Sequence, residues 1–196
     1  MGGTAIGPPN PATGAVEFGV GRVELRSQVH RREFDQAHGP EPGHWEGDLI
    51  VGAFNRSAIA TLVERTTRFT TLVHLAGPSR SEALRDGLID LFAGLPPELC
   101  RSLTWDQGSE MAHHHAITEA TGTPIYLCHP GRPWERPSNE NTNGLLRDYF
   151  PKSSDLQIYS PHDLRHAADE LNRRPRKTLA WQTPERLFAT LLAAHV

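Results

Sequence analysis

Cysteine is scarce in this chain, because Cys100 and Cys128 are the only two among 196 residues and they form no CxxC pair. That scarcity argues against a disulfide framework and favours a reducing cytoplasm. Long apolar runs are missing as well, since none approaches the ~18 residues that suggest a membrane span. The N-terminus also lacks a basic region followed by an apolar stretch, so it does not resemble a signal peptide. A membrane partner is therefore not expected.

An excess of basic charge is absent too, since 20 Lys and Arg face 23 Asp and Glu for a net charge of −3. This balance argues against tight non-specific DNA binding, although a local basic surface matters more than the total. Two local concentrations of basic residues do occur. They are Arg173, Arg174, Arg176 and Lys177 within five residues, and Arg132, Arg136 and Arg147 around one acidic motif.

The chain divides into a structure-poor beginning and one folded domain. Residues 1–20 are rich in Gly and Pro without a period, and residues 21–43 are polar and end in Gly-Pro-Glu-Pro-Gly. We predict a disordered segment and linker over 1–43. Residues 44–196 are predicted to form the domain, with three strands, a helix, a strand, a helix, a strand and a helix in that order. This alternation indicates an α/β fold with two further helices at the C-terminal end.

Several elements have recognisable ends. The second and third strands are separated only by Thr66-Thr67, which predicts an antiparallel pair. A helix is expected from Ser79 to Leu95 with Ser79 or Ser81 as its cap, and another from about Ser138 to Phe150. The remaining predicted helices run from Glu110 to Ala120, closed by Gly122, and begin at Ser160-Pro161 and at Thr183-Pro184.

Three acidic residues occupy places that this layout can bring together. Asp48 lies in the first strand, Asp106 ends the fourth strand, and Glu140 lies in the first turn of a helix. Magnesium prefers hard oxygen ligands, so a few carboxylates can hold the ions that assist displacement at phosphorus. Spacing leaves two alternatives open, because Glu46 shares a strand face with Asp48, and Glu110 competes with Asp106.

Five strings in this order resemble the integrase-like core of insertion-sequence thirty-type transposases. The resemblance spans about His44 to Phe188, and its most specific part is NENTNGLLRDYFPK. The strings are HWEGDLIVG, SAIATLVERTTRF, LTWDQGSE, PWERPSNENTNGLLRDYFPK and ELNRRPRKTLAWQTPERLF.

The resemblance implies a ribonuclease H-like fold, with a five-stranded mixed sheet flanked by helices and extra C-terminal helices. It assigns the DDE site to Asp48 in WEGD, Asp106 in TWDQG and Glu140 in NEN, and it leaves Glu46 and Glu110 in supporting roles. It implies two Mg²⁺ ions, with Mn²⁺ as a substitute, and hydrolysis at transposon ends followed by strand transfer into target DNA. The expected protein is bacterial, cytoplasmic and nucleoid-associated, and it works as a homo-oligomer.

The sequence departs from the family in two places. Full-length members have a helix-turn-helix region before this core, where the present chain has its Gly/Pro-rich stretch. The loop before the glutamate usually reads Asp-Pro-His-Ser-Pro-Trp-Gln-Arg-Gly, whereas residues 129–137 read HPGRPWERP. Pro137 in place of Gly removes a donor and fixes φ, which is expected to shift the entry to the glutamate helix. An inactive transposase remnant that only binds DNA or oligomerises, and a nuclease of the same fold, are the alternatives.

Other residues are candidates for nucleic-acid contacts. Asn143 and Arg147 share a helix face with Glu140, where contact with DNA or metal-bound water competes with a solvated position. His113-His114-His115 cannot form one tetrahedral metal site, because consecutive helix positions point in different directions. Trp134 in its loop is a candidate for stacking on a splayed base. The phosphate candidates are Lys152, Arg173, Arg174, Arg176 and Lys177, and the helix dipole is the structural alternative for the last four.

Overall fold

A computed structural model describes residues 41–75, 79–106, 108–128 and 137–195 of the chain. In the helix that begins at residue 137, the side chains of Pro137 and Glu140 are outside this description. The predicted disordered segment and linker over 1–43 falls almost entirely outside the described residues, as does the loop over 129–136.

A five-stranded mixed sheet forms the centre of the described chain, with the strand order β3-β2-β1-β4-β5. β1, β2 and β3 are antiparallel neighbours, whereas β4 and β5 run parallel to β1. The strands are β1 His44–Val51, β2 Ala58–Glu64, β3 Thr70–His74, β4 Ser102–Trp105 and β5 Ile125–Leu127. This arrangement confirms the predicted α/β class and the predicted antiparallel pairing of the second and third strands.

Five α-helices accompany the sheet in the described residues. They are α1 Arg80–Ala93, α2 His114–Thr121, α3 Pro137–Leu146, α4 Pro161–Arg173 and α5 Pro184–Ala194. Most begin at a side-chain cap: Ser79 accepts from the Glu82 amide, Ser160 forms a reciprocal capping box with Asp163, and Thr183 accepts from the Arg186 amide. The predicted starts at Ser79, Ser160 and Thr183 are confirmed. Among the described residues, no helix has both the length and the apolar character needed to cross a membrane.

The predicted helix over 110–120 is wrong in its first half. A 3-10 turn occupies Ser109–Met111, and the α-helix begins only at His114. Its end is as predicted, because Gly122 has a φ of 72° and its N–H bonds to the Thr118 carbonyl. The glutamate helix is shorter than predicted, because it begins at Pro137 and ends at Leu146.

The two faces of the sheet bury two different clusters. On one face, Trp45, Leu62 and Leu103 pack with Leu88 of α1 and Phe188 of α5. On the opposite face, Ile50 and Ile59 pack with Leu146 of α3 and with Leu164 and Leu171 of α4. Neighbouring strand residues point to opposite faces, so β1 contributes to both clusters and lies at the centre of the molecule.

Candidate active site

Asp48 and Asp106 lie level with each other on adjacent parallel strands. In the β1–β4 pair, His44 is opposite Ser102 and Glu46 is opposite Thr104. Extending that register by two residues on each strand brings Asp106, directly after β4, beside Asp48. Neighbouring strands are about 4.8 Å apart, so two carboxylates at this level lie close enough to share metal ions. Both residues are partly exposed.

The WEGD segment divides its residues between the two sheet faces. Trp45 is fully buried, and its Nε1 donates to the Leu99 carbonyl at 2.8 Å. Gly47 lies flat against the Trp105 ring, and a Cβ on Gly47 would overlap that ring. Glu46 and Asp48 point to the other face, toward α3. WEGD thus combines two residues that close the core with two carboxylates that face the glutamate helix.

Glu46 and Asp48 differ sharply in what surrounds them. Glu46 is 1% exposed, and its Oε2 accepts from the backbone amides of Ser138 and Asn139 at 3.1 and 3.4 Å. Its other oxygen, Oε1, lies 3.3 Å from Nε of Arg65, without the alignment of a hydrogen bond. Glu46 therefore holds the beginning of α3, and of the two carboxylates Asp48 is the one accessible to a ligand.

Asn143 connects α3 directly to Asp48. Its Nδ2 donates to Asp48 Oδ2 at 3.0 Å, while Asp48 Oδ1 accepts from the Leu49 amide at 2.8 Å. Glu140 lies one helical turn before Asn143, so the same face of α3 carries both residues. The hydrogen bond of Asn143 therefore holds this part of α3 against Asp48.

The donor set fits a hard divalent cation. Carboxylates on two adjacent strands, with a glutamate helix against them, are the oxygen ligands that Mg²⁺ takes. No group of three His, Cys, Asp or Glu gathers among the side chains that the structure describes, and the Glu140 side chain is not one of those. The three carboxylates thus remain a predicted ligand set, for which the described backbone offers the required layout.

Pro137 is the first residue of α3. A proline at this position lacks only an N–H that would have no partner within the helix, and its fixed φ suits helix entry. The helix thus begins with Pro137 in its first turn, and the shift of the entry relative to the glycine of the family stays a prediction.

Glu110 has a structural contact of its own. Its Oε1 accepts from Nε1 of Trp105 at 3.2 Å. The contact fixes the buried Trp105 ring, and through it the end of β4 just before Asp106. This agrees with the supporting role that the resemblance implies for Glu110.

Arg147 and Lys152 lie in contrasting settings. The Arg147 guanidinium donates to the carbonyls of Val51 and Phe150 at 3.4 Å, and burial lowers its pKa. It therefore ties α3 to the end of β1 and is only partly available to DNA. Lys152, which follows Phe150 closely, is exposed.

The basic segment after α4 has two arginines that make surface contacts. Arg173 Nε lies 3.6 Å from Glu185 Oε2, and both side chains are largely exposed. Arg174 donates to the Tyr149 hydroxyl at 2.7 Å, and its guanidinium lies 5.8 Å from the centre of that ring. Exposed ion pairs contribute about 0–1 kcal/mol each, so these contacts leave both arginines able to exchange partners.

Arg176 is more buried than its neighbours. It donates to the Leu171 carbonyl at 3.4 Å, and burial, followed by the nearby Arg174, lowers its pKa. A cavity of about 310 Å³ lies beside it. The lining residues are Arg68, Ser138, Asn141, Thr142, Arg176 and Thr178. Lys177 is exposed, and Trp134 lies outside the described residues.

The three histidines do not act together. His114 Nδ1 donates to the Met111 carbonyl oxygen at 2.9 Å, and the His114 ring lies against that of His115. These contacts are typical of histidines on a helix surface. Cys100 and Cys128 are both buried, and they form no disulfide.

Sequence reasoning missed the contacts that anchor α3. Arg65 and Arg68 follow β2 and are separated from the site by many residues, yet Arg65 reaches Glu46 and Arg68 donates to the Ser138 hydroxyl. Both arginines lie in the string SAIATLVERTTRF, but their spacing within a strand-to-strand turn gives no sign of a contact with α3. Only the docking of α3 on β1 and β2 brings them to the site.

A family model described as "Integrase core domain" matches residues 40–133. The chain is 48% identical over 172 residues to Transposase InsI for insertion sequence element IS30A of Escherichia coli (strain K12), covering 88% of this chain and 44% of that protein. It is 49% identical over 173 residues to the transposase for insertion sequence element IS1086 of Cupriavidus metallidurans, covering 88% and 51%. The chain thus spans about half the length of these curated relatives.

Two solved structures have the same fold at low sequence identity. The catalytic core domain of BIV integrase aligns with a TM-score of 0.57 at 16% identity, covering 76% of this chain and 95% of that one. A chain of the simian T-cell lymphotropic virus intasome, in complex with PP2A regulatory subunit B56 gamma, aligns with a TM-score of 0.60 at 20% identity, covering 76% and 55%. The predicted ribonuclease H-like fold is thereby confirmed, and over 88% of its length the chain is similar in sequence to an IS30-type transposase.

Proposed function

We propose that the chain is the catalytic core of a DDE transposase, which cleaves phosphodiester bonds at transposon ends and joins them to target DNA. Asp48, Asp106 and Glu140 are its proposed metal ligands. The observation that carries the proposal is the hydrogen bond between Asn143 Nδ2 and Asp48 Oδ2, at 3.0 Å. It supports the proposal because it joins the helix that carries Glu140 to the carboxylate of Asp48 on β1.

Asp48, Asp106 and Glu140 would hold two Mg²⁺ ions, with Mn²⁺ as a substitute. When bound, such ions lower the pKa of the attacking water or hydroxyl and neutralise charge on the leaving oxygen during in-line displacement. The contribution of the chain is to fix the ligands. β1 and β4 hold the two aspartates at one level, and the Leu49 amide and Asn143 orient the Asp48 carboxylate.

DNA contacts are proposed on the surface around α3 and after α4. Exposed Lys152 and Lys177 and the loosely paired Arg173 and Arg174 suit backbone phosphates, which position a duplex without reading its sequence. Arg176 lines the cavity beside α3 together with Arg68, and that concentration of guanidinium groups suits a phosphate oxygen. Trp134 is proposed to stack on an unpaired base, and Arg147 to contribute through its partial exposure.

The partners follow from the same proposal. Transposon ends and target DNA are the substrates, and the active assembly is a homo-oligomer, because two ends must be joined in a coordinated way. The 48% identity to a bacterial transposase supports a cytoplasmic, nucleoid-associated protein.

The test is strand transfer by the full chain on a pre-nicked transposon-end duplex with Mg²⁺ or Mn²⁺. Glu140→Gln removes a proposed ligand charge with little change in size, and it is expected to abolish joined product. Glu119→Gln on α2 is the matched control, since Glu119 is an exposed helical carboxylate away from the site and its variant is expected to behave as the unsubstituted chain.

Three results would contradict the proposal in different ways. Joined product from Glu140→Gln would refute the site assignment. Cleaved but never joined strands would indicate a nuclease of the same fold. No product from the unsubstituted chain with either metal would indicate an inactive remnant.

A further inference from the structure

Glu46 is a buried carboxylate without any role in the family's catalytic triad. It is 1% exposed on β1, two residues before Asp48. Removing a carboxylate from water is costly unless it is paired and hydrogen-bonded, so a buried Glu requires compensating partners. The contacts of Glu46 provide them, and both of its hydrogen bonds lead to α3.

Those contacts converge on the first turn of α3. Oε2 accepts from the amides of Ser138 and Asn139, two donors that have no partner inside the helix. A negative charge at this end also interacts favourably with the helix dipole. Arg65, from the end of β2, lies 3.3 Å from Oε1 and balances the charge. Glu46 is therefore the N-terminal anchor of α3, supplied by a strand rather than by the helix itself.

The anchor joins the two elements that carry the proposed ligands. On the strand side, Glu46 and Asp48 point to the same face, two residues apart. On the helix side, Ser138 and Asn139 directly precede Glu140. Glu46 thus links the strand that carries Asp48 to the first turn of the helix that carries Glu140.

Resting on the proposed function, we propose that Glu46 is a positioning residue, which sets the distance between Asp48 and Glu140 and with it the affinity of the site for divalent metal. It touches neither substrate nor metal. Outer contacts that orient ligands typically change metal affinity or activity by about 10–100-fold when removed. Loss of Glu46 should fall in that range, because among the described residues it removes two of the hydrogen bonds that hold the start of α3, and the Asn143–Asp48 and Arg68–Ser138 bonds remain.

Glu64 offers a matched control within the same sheet. It is 0% exposed on β2, and it also accepts two backbone N–H bonds, from Gly43 at 3.1 Å and from Thr67 at 2.6 Å. Its partners lie in the turns at the ends of β1 and β2, and none of them belongs to α3. Glu64→Ala therefore reproduces the loss of a buried, hydrogen-bonded carboxylate without releasing the glutamate helix.

The experiment compares Glu46→Ala, Glu46→Gln and Glu64→Ala with the unsubstituted chain, in the absence of DNA and then in strand transfer. Amide hydrogen exchange of residues 138–143 and Mn²⁺ binding, measured by paramagnetic resonance, need no catalysis. We expect Glu46→Ala to speed exchange in the first turns of α3 and to weaken Mn²⁺ binding by about tenfold or more. Glu46→Gln should restore part of both, because its amide oxygen can still accept from the two backbone donors.

In strand transfer, the Glu46 variants should need a higher Mg²⁺ concentration for half-maximal rate. Glu64→Ala should reach half-maximal rate at the same Mg²⁺ concentration as the unsubstituted chain, when the rate is expressed per folded molecule. Unchanged exchange and Mn²⁺ affinity in Glu46→Ala would overturn the proposal. So would equal weakening in Glu64→Ala, since the effect would then come from general destabilisation. If the unsubstituted chain makes no joined product, the proposed function fails, while hydrogen exchange and Mn²⁺ binding still decide the role of Glu46.

Discussion

The two faces of the central sheet are held by different kinds of contact, although they share the same strands. The face toward α1 and α5 is closed by large apolar side chains such as Trp45, Trp105 and Phe188, with edge-to-face contact between Trp45 and Phe188 at 5.8 Å. The face toward α3 and α4 also has an apolar cluster, but polar contacts dominate where α3 meets β1.

Because of this difference, the residues of β1 that fill the closed core and the residues that serve the proposed chemistry lie on opposite faces of one strand. Along β1, residues pointing one way can be judged by volume, because they fill a closed core. Glu46 and Asp48, which point the other way, must be judged by charge and hydrogen bonding, because they face α3. Substitutions of the large apolar residues should change the free energy of unfolding, and substitution of the partly exposed Asp48 should change activity with little loss of stability.

The largest expected effect lies on the polar face, at Asp48. Asp48→Asn keeps the size and the contact with Leu49 but removes the charge of a proposed metal ligand. We expect strand transfer to fall by about a thousandfold, or about 4 kcal/mol of activation free energy, because the proposed metal site would lose one of its anionic ligands. Strand-transfer rates at saturating Mg²⁺ measure this. The urea midpoint should change little, and a variant that unfolds early or retains activity would contradict the division between the faces.

The next largest effect is expected on the free energy of unfolding, at Gly47, which adjoins Asp48 but points to the apolar face. Gly47→Ala adds a Cβ that overlaps the Trp105 ring, and we expect a loss of about 3 kcal/mol of unfolding free energy, since overpacking strains a closed core. Urea denaturation measures it. Gly144→Ala in α3 is the matched control, because a Cβ there meets no atom within 4 Å. It should stabilise by about 0.5–1 kcal/mol through helix propensity, and equal losses in both variants would refute the argument.

How far the sequence predicts this division can be seen in β1 itself. The alternation of HWEGDLIV predicts a strand and shows that Glu46 and Asp48 share a face. It does not reveal which carboxylate is buried, because that depends on where α3 docks. The family resemblance selected Asp48, and the fold supplies the physical reason in the amides of Ser138 and Asn139.

Local capping was predictable and distant anchoring was not. The starts at Ser79, Ser160 and Thr183 follow from side chains that bond within a few residues. The break of the predicted 110–120 helix has a longer-range cause, because the buried Trp105 ring engages Glu110 and Met111 is buried in the core. Tertiary packing there outweighs the local helical pattern.

A third prediction concerns Cys100, in the apolar cluster. Burial raises the pKa of this thiol to about 11 from an ordinary 9.0, with a further contribution from Glu98. At pH 8 the folded chain should therefore react with iodoacetamide about a hundredfold more slowly at Cys100 than the unfolded chain, because the thiolate is the reactive form. Mass spectrometry of labelled peptides measures this.

The same shift gives a pH dependence of stability. Because the folded-state pKa is the higher one, the contribution of Cys100 is complete below pH 9.0 and is lost as the pH rises toward about 11. Cys100→Ala should remove that alkaline loss, whereas Cys128→Ala should retain it. Rapid labelling of Cys100 in the folded chain would show that this face opens more readily than its packing indicates.

A smaller effect on activity is expected at Asn143. Asn143→Ala removes the donor that orients the Asp48 carboxylate, and we expect strand transfer to fall by about tenfold, with a higher Mg²⁺ requirement. Gln157→Ala is the control, since it truncates an exposed amide away from the site. A large loss of unfolding free energy with an unchanged Mg²⁺ requirement would mean that Asn143 stabilises the fold and does not orient Asp48. The two faces would then not differ in the way described above.

The smallest expected effect lies where the chain passes from one face to the other. The connection between α4 and α5 includes Ala180, which has a φ of 51° and a ψ of 41°. A left-handed conformation costs an L-residue about 1–2 kcal/mol, whereas glycine adopts it freely and loses more entropy on folding. Ala180→Gly should therefore stabilise the chain by about 0.5–1 kcal/mol in urea denaturation. Ala112→Gly, at an exposed residue with a φ of −55°, should instead destabilise it by a similar amount, because there glycine brings only the entropic cost. If both substitutions destabilise the chain, the backbone strain at Ala180 is smaller than the entropic cost of glycine. The packing of α5 alone would then hold the connection between α4 and α5 in place.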